Sequence, residues 1–238
     1  MSDASIPLLT RQSGLLETTQ IIANNIANAS TPGYKTEGTI FAEFIKAGGE
    51  DYPSISMGEL KGRSIDFAPG AVRQTGGTFD LALPGEGFFK VLTPQGERLT
   101  RAGAFQLNNE GVLTDAHGYS VLDDGGGEIQ FLPDATNIAI AQDGTISVDG
   151  EVFGIVGVYE PLGEMQRAGL NLWFSDEGDQ LIEEPTVIQG AIEQSNVDPV
   201  AELAQLIYAQ RLFEAGQGVV EQENDRLSKL INALRQEG

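Results

Sequence analysis

The sequence predicts a mainly β protein with terminal α-helices. The terminal helices can pair with each other or with other subunits, and a β-rich, barrel- or sandwich-like body lies between them. Three observations carry this expectation. Residues 6–29 and 199–235 have apolar positions at helical spacing. The stretch between them is Gly-rich, acidic and alternates at period two, and turn chemistry recurs along it at intervals of about 8–12 residues.

The first helix is expected to begin near Pro7, because proline is tolerated only at a helix start. Leu8, Leu15, Ile22 and Ile26 then form one apolar stripe. Asn24, Asn25 and Asn28 crowd its end. Asparagine is a weak helix former, so fraying and capping account for one of them. Three so close together also suggest hydrogen bonding between subunits. Thr31-Pro32-Gly33 stops the helix, with Pro-Gly suited to a turn that has positive φ at Gly33. Residues 35–75 are mixed, with Phe41, Phe44 and Ile45 as a short apolar cluster before a Gly/Ser/Pro-rich run. This segment reads as an extended connection without a core of its own.

The β signals start at Phe79-Asp80-Leu81-Ala82-Leu83 and resume after Pro84-Gly85 in Gly87-Phe88-Phe89-Lys90-Val91-Leu92. Asp143-Gly144 and Asp149-Gly150, flanked by Ile140, Ile146, Val148 and Val152, predict hairpins with type I′ turns. Trp173, the sole tryptophan, is expected in the core. The last helix starts with Asp198 as N-cap and Pro199 at the first helical position. Leu206, Phe213, Val220, Leu227 and Leu234 recur at heptad spacing, as d positions of a coiled-coil seam. The a positions are then Leu203, Gln210, Gln217, Asn224 and Ile231, whose polar members set register at a cost in stability. Gly216 and Gly218 each cost about 1 kcal/mol against alanine, so this helix is marginal alone. The expected division is residues 1–34 with 196–238 as a split helical assembly domain, 35–75 as connector and 76–195 as body.

Composition narrows the function. Residues 76–198 carry 21 acidic and 4 basic side chains, most of the net charge of −21. Such a body repels phosphate backbones, which argues against nucleic-acid partners. No run is long enough for a membrane span, so no membrane insertion is expected. The N-terminus has no basic segment followed by an apolar core, so no cleaved signal peptide is expected. There is no cysteine and a single histidine, His117, in a turn-like context. Thiolate and paired-histidine metal sites and Cys nucleophiles are therefore excluded, and no serine shows a histidine-partner pattern or a G-x-S-x-G setting. Gly85-Glu86-Gly87 lacks the remaining glycines and the helix of a phosphate loop. The acid pairs Asp123-Asp124 and Glu183-Glu184 sit in turn-rich settings. No catalytic, cofactor or metal residue is assigned, and the chain does not read as an enzyme.

The junction strings resemble a known family. Ala23-Asn24-Asn25-Ile26-Ala27-Asn28-Ala29-Ser30-Thr31-Pro32-Gly33-Tyr34-Lys35 is similar to the N-terminal signature of flagellar rod, hook and hook-associated proteins. Gly190 to Asp198, with Tyr208-Ala209-Gln210-Arg211-Leu212-Phe213-Glu214, is similar to the C-terminal signature. Gln74 to Leu83, Gly87 to Val91 and Leu99 to Phe105 resemble the body of the rod and hook subgroup. Length favours the rod proteins that carry a β body. Leu9 to Leu15 and Glu37 to Phe44 look more like the proximal than the distal kind. Gln217-Gly218-Val219-Val220 departs from the family's asparagine-rich segment.

The resemblance implies that the N- and C-terminal helices pair as a coiled-coil-like domain with the β body inserted between them. It also implies export through the flagellar type III apparatus, other rod subunits as partners, and a place in the basal-body rod within the periplasm. It implies an assembly interface of Leu8, Leu15, Ile22, Asn24, Asn25, Ile26, Asn28, Leu206, Gln210, Phe213, Gln217, Val220, Asn224, Leu227 and Leu234. Thr31, Pro32 and Gly33 with Asn196, Asp198 and Pro199 mark where the chain leaves and re-enters the helical domain. A second reading, from another class, is an acidic β domain that binds a ligand and is dimerised by its helices.

Overall fold

The computed structural model describes residues 5–46, 55–133, 135–169 and 171–236. The chain is mainly β, with a helix at each end: α1, Ser5–Ala27, and α2, Pro199–Gln236. It divides into two compact units. One comprises residues 1–27, 36–66 and 197–238, and the other 28–35 and 67–196.

In the first unit, α1 lies against α2 and against a long antiparallel hairpin of β1, Glu37–Lys46, and β2, Ile55–Ile65. Glu37 is opposite Ile65 and Lys46 is opposite Ile55, with a register shift between Ile40 and Phe41. A connector was expected over this stretch; the structure has paired strands that belong with the helices. The bulge breaks the alternation of Ile40, Phe41 and Phe44, which removes the period-two signal. The side chains of Phe41, Phe44 and Ile45 lie outside the described residues.

The second unit is the β body. Among the described residues its largest sheet has nine antiparallel strands. The main path runs from Met165–Gly169 through Leu172–Ser175, Gly96–Thr100, Phe88–Thr93, Ser120–Val121 and Leu113–Thr114 to Gln106–Leu107. Val158–Pro161 branches from Phe88–Thr93 and pairs with Asp179–Leu181. The two ends of the path do not pair among the described residues, so the sheet does not close into a barrel. A three-stranded meander of Ile138–Ile140, Thr145–Val148 and Glu151–Ile155 stands beside it.

Leu81, Phe89, Val91, Leu113, Val121 and Ile146 form the heart of the core, and the Phe89 and Phe105 rings meet edge to face at 5.2 Å. Trp173 is fully buried. The Asp149-Gly150 turn has φ of 52° and 90°, as a type I′ turn requires. At Asp143-Gly144 only the glycine is positive, and Gly144 N–H donates to Ala141 C=O at 3.0 Å. That hairpin therefore turns over four residues and ends in a left-handed glycine, where a two-residue turn was predicted.

Candidate assembly site

The start of α2 is capped from within. Asp198 Oδ1 accepts the backbone N–H groups of Val200 at 2.9 Å and Ala201 at 3.2 Å, while Pro199 occupies the position that needs no donor. Beyond the cap, Glu202 and Ala209 are buried, and Leu206, Leu212, Phe213, Gly216 and Val220 are half-buried. The heptad ridge of Leu206, Phe213 and Val220 is thus flanked by Glu202, Ala209 and Gly216. Leu203, Gln210, Gln217 and Asn224, the predicted a positions, are exposed. Size explains the choice: Ala209 and Gly216 let α1 approach closely, where Leu203 and Gln210 would hold it away. On α1, Ile21 and Ile22 are buried and Leu15 and Ile26 half-buried. The side chains of Leu8, Leu227, Ile231 and Leu234 lie outside the described residues.

Asn25 is the polar centre of this unit, at 1% exposure. Its Nδ2 donates to the Glu37 C=O at 2.8 Å and to Glu202 Oε1 at 3.2 Å, and its Oδ1 accepts the Glu37 N–H at 3.0 Å. One amide therefore closes the start of β1 and ties α1 to α2. A residue expected to bond between subunits is engaged within its own chain. Asn24, one residue earlier, is exposed, and Asn28 Oδ1 accepts from the Thr31 hydroxyl at 3.1 Å.

Burial pushes the Glu202 carboxyl above its ordinary value; the Asn25 hydrogen bond pulls it back and the Asp198 charge raises it further. A raised carboxyl binds its proton more tightly folded than unfolded. Stability from this group therefore falls as pH rises from the ordinary carboxylate value through the raised one, and is level above it. Glu202→Gln should flatten that dependence and stabilise the helical unit at neutral pH. Thermal melts of the two proteins across pH 4–8 check this; parallel profiles would refute it.

The β body holds the other half of the junction. Gly33 has φ of 66°, and a Cβ there would fall 2.3 Å from the Arg101 carbonyl carbon. Only glycine meets both conditions. Its N–H donates to the Glu193 C=O at 2.8 Å, which ties the first signature string to the second. Beside it Lys35, Arg101 and Glu193 are buried together at 0%, 4% and 1% exposure. Lys35 Nζ reaches Glu193 Oε1 at 2.6 Å and the Ala68 C=O at 2.8 Å. Arg101 reaches Glu193 Oε2 at 3.3 Å and the Leu83 C=O at 3.1 Å. The Gly70 N–H also donates to Glu193 Oε1, at 2.9 Å. Burial lowers the Arg101 pKa, and Glu193 opposes that shift through its charge and hydrogen bond. Asn196 completes the knot, donating from Nδ2 to the Ala68 C=O at 3.0 Å.

Lys35, Arg101 and Glu193 were not predicted as site residues. The available signal was that all three ionisable groups sit inside or beside the signature strings. His117, on an exposed turn, has Nδ1 3.4 Å from Asp115 Oδ2, while Asp115 Oδ1 accepts the backbone N–H groups of His117 and Tyr119. That carboxylate shapes a turn. Among the described residues no group of three or more His, Cys, Asp or Glu is placed to hold a metal, and no helix is long and apolar enough to cross a membrane.

A split unit of two end helices, with the junction strings knotted into a β body, defines a class that comparison identifies. Residues 10–35 match the family described as flagella basal body rod protein. Residues 82–148 match the flagellar hook protein FlgE/F/G D1 domain, and residues 188–233 the flagellar basal body rod FlgEFG protein C-terminal family. The chain belongs to the flagellar basal-body rod protein family. It is 36% identical to the basal-body rod protein FlgF of Caulobacter vibrioides, over 90% of this chain and 91% of that one. It is 30% identical to FlgF of Mesorhizobium japonicum over 98% of both chains. It is also 32% identical to FlgG of Bacillus subtilis, over 90% of this chain and 92% of that one. Within the family the chain is FlgF-like.

Proposed function

We propose that the chain is a structural subunit of the proximal basal-body rod, polymerising through its terminal helices into the axial drive shaft for motility. It does no chemistry. The observation that carries this reading is the face of α2 left over after α1 is packed: Val200, Leu203, Ile207 and Tyr208 are exposed along one side of a firmly capped helix. An apolar helix stripe of this kind needs a partner outside the chain. Other rod subunits supply it, and the exposed Gln210, Gln217 and Asn224 fix register between them. The chain reaches the rod, within the periplasm, through the flagellar type III export apparatus and without a cleaved signal peptide. The paired helices form a coiled-coil-like tube wall, and stacking proceeds by heterologous contacts that do not close.

Identity to FlgG of Bacillus subtilis supports a distal-rod reading as the second choice. Deleting the coding region and locating the step at which basal-body assembly stalls separates the two. Phe213→Asp with Val220→Asp should reduce incorporation into basal bodies at least tenfold while Trp173 fluorescence reports a folded body. Normal motility in that double variant would refute assembly through the helices. A stable homodimer that saturates with a ligand would instead favour the binding-module reading.

A further inference from the structure

Between α1 and α2 lies a notch of about 200 Å³, lined by Arg11, Gln12 and Leu15 on one side and Leu212, Gly216 and Val219 on the other. It owes its existence to Gly216. A Cβ added there would sit 3.5 Å from Gln12 Nε2, in ordinary contact, and a larger side chain would fill the space. The Gln12 Nε2 group is buried and has no hydrogen-bond partner among the described residues. Arg11, at the rim, is exposed and makes no ion pair among them. Apolar walls, an unused amide N–H and a guanidinium together suit a flat apolar ring with an oxygen at its tip. That description is of tyrosine.

Among the described residues Tyr208 is the tyrosine that stands exposed, at 64%. It cannot enter the notch of its own chain, because eight residues along one helix place it about 12 Å from Gly216. We infer that the notch over Gly216 receives Tyr208 from a second copy of the chain. The ring packs on Leu15, Leu212 and Val219 beneath Arg11, and the hydroxyl accepts from Gln12 Nε2. This rests on the rod reading and names one contact within it. Two copies of a chain with net charge −21 repel, and here they meet through a cation and a neutral ring. Knob and hole occupy different levels of α2, so a copy that has given its Tyr208 still has a notch to offer to a further copy.

The test counts copies of the chain in purified basal bodies from cells lacking the native gene and expressing each variant. Tyr208→Ala alters an exposed position, so the monomer should keep its circular dichroism while incorporation falls at least tenfold. Tyr208→Phe, which keeps the ring, should fall only about threefold. Gly216→Leu, which fills the hole, should match Tyr208→Ala. Replacing Tyr208 with photoreactive p-benzoylphenylalanine should crosslink two copies, with the second attached through residues 11–15 or 212–219. Wild-type incorporation of Tyr208→Ala, or crosslinks to a different protein only, overturns this contact and leaves the rod reading standing. Absence of the unaltered chain from basal bodies overturns both.

Discussion

Replacing Glu193 with alanine should cost the β body about 3–5 kcal/mol, the range for removing one partner of a buried ion pair. The direction follows from what remains. Lys35 and Arg101 would be two buried cations that have lost their shared carboxylate, and the Gly70 N–H would lose that acceptor. Losing the pair is a different experiment from never having had it. Lys35→Met together with Glu193→Leu removes both charges that meet at 2.6 Å, and should recover part of the loss despite leaving Arg101. Equilibrium denaturation followed through Trp173 reads the body directly, since this lone tryptophan is buried there. A loss below about 1 kcal/mol for Glu193→Ala, the size of an exposed pair, would show that the trio is solvated and does not hold the junction.

The second large effect is expected at Asn25. Asn25→Ala removes the acceptor of the Glu37 N–H, the donor to the Glu37 C=O and the donor to Glu202, all in a buried setting. Each buried polar group left without a partner costs about 1–3 kcal/mol, and shared relaxation keeps the total below the sum. The loss should be local to the helical unit. Hydrogen exchange at Glu37 and along α1 should accelerate by at least a hundredfold, while the Trp173 transition of the body stays put. Unchanged exchange at Glu37 would show that Asn25 does not close the hairpin.

What could be read from the sequence follows the range of each signal. Asp198-Pro199 and Asp149-Gly150 are local patterns whose geometry is set by a few neighbouring residues, and they were legible. The hairpin of β1 and β2 was not. Its pairing joins residues up to 28 apart, and its bulge at Ile40 scrambles the alternation that announces a strand. The ionic trio was hidden for the same reason, more strongly: residues 35, 101 and 193 meet only once the body is folded. At Asn25 the limit is of a different kind. An asparagine near a helix end reads as sticky and external, and only its hairpin neighbour Glu37 reveals that it faces inward.

The long reach of these buried links sets an order of events. Lys35 meets Glu193 across 158 residues of chain, and Asn25 meets Glu202 across 177. Neither link exists until nearly the whole polypeptide is present. A chain emerging N-terminus first therefore carries α1 and its β1–β2 hairpin before either of these two links can form. Contacts this distant in sequence also form slowly, because the intervening loop must be ordered before they repay it. The closing move at both links belongs to the last fifth of the chain, which holds Glu193 and Glu202, while the core of the body between Leu81 and Val187 lies wholly before it.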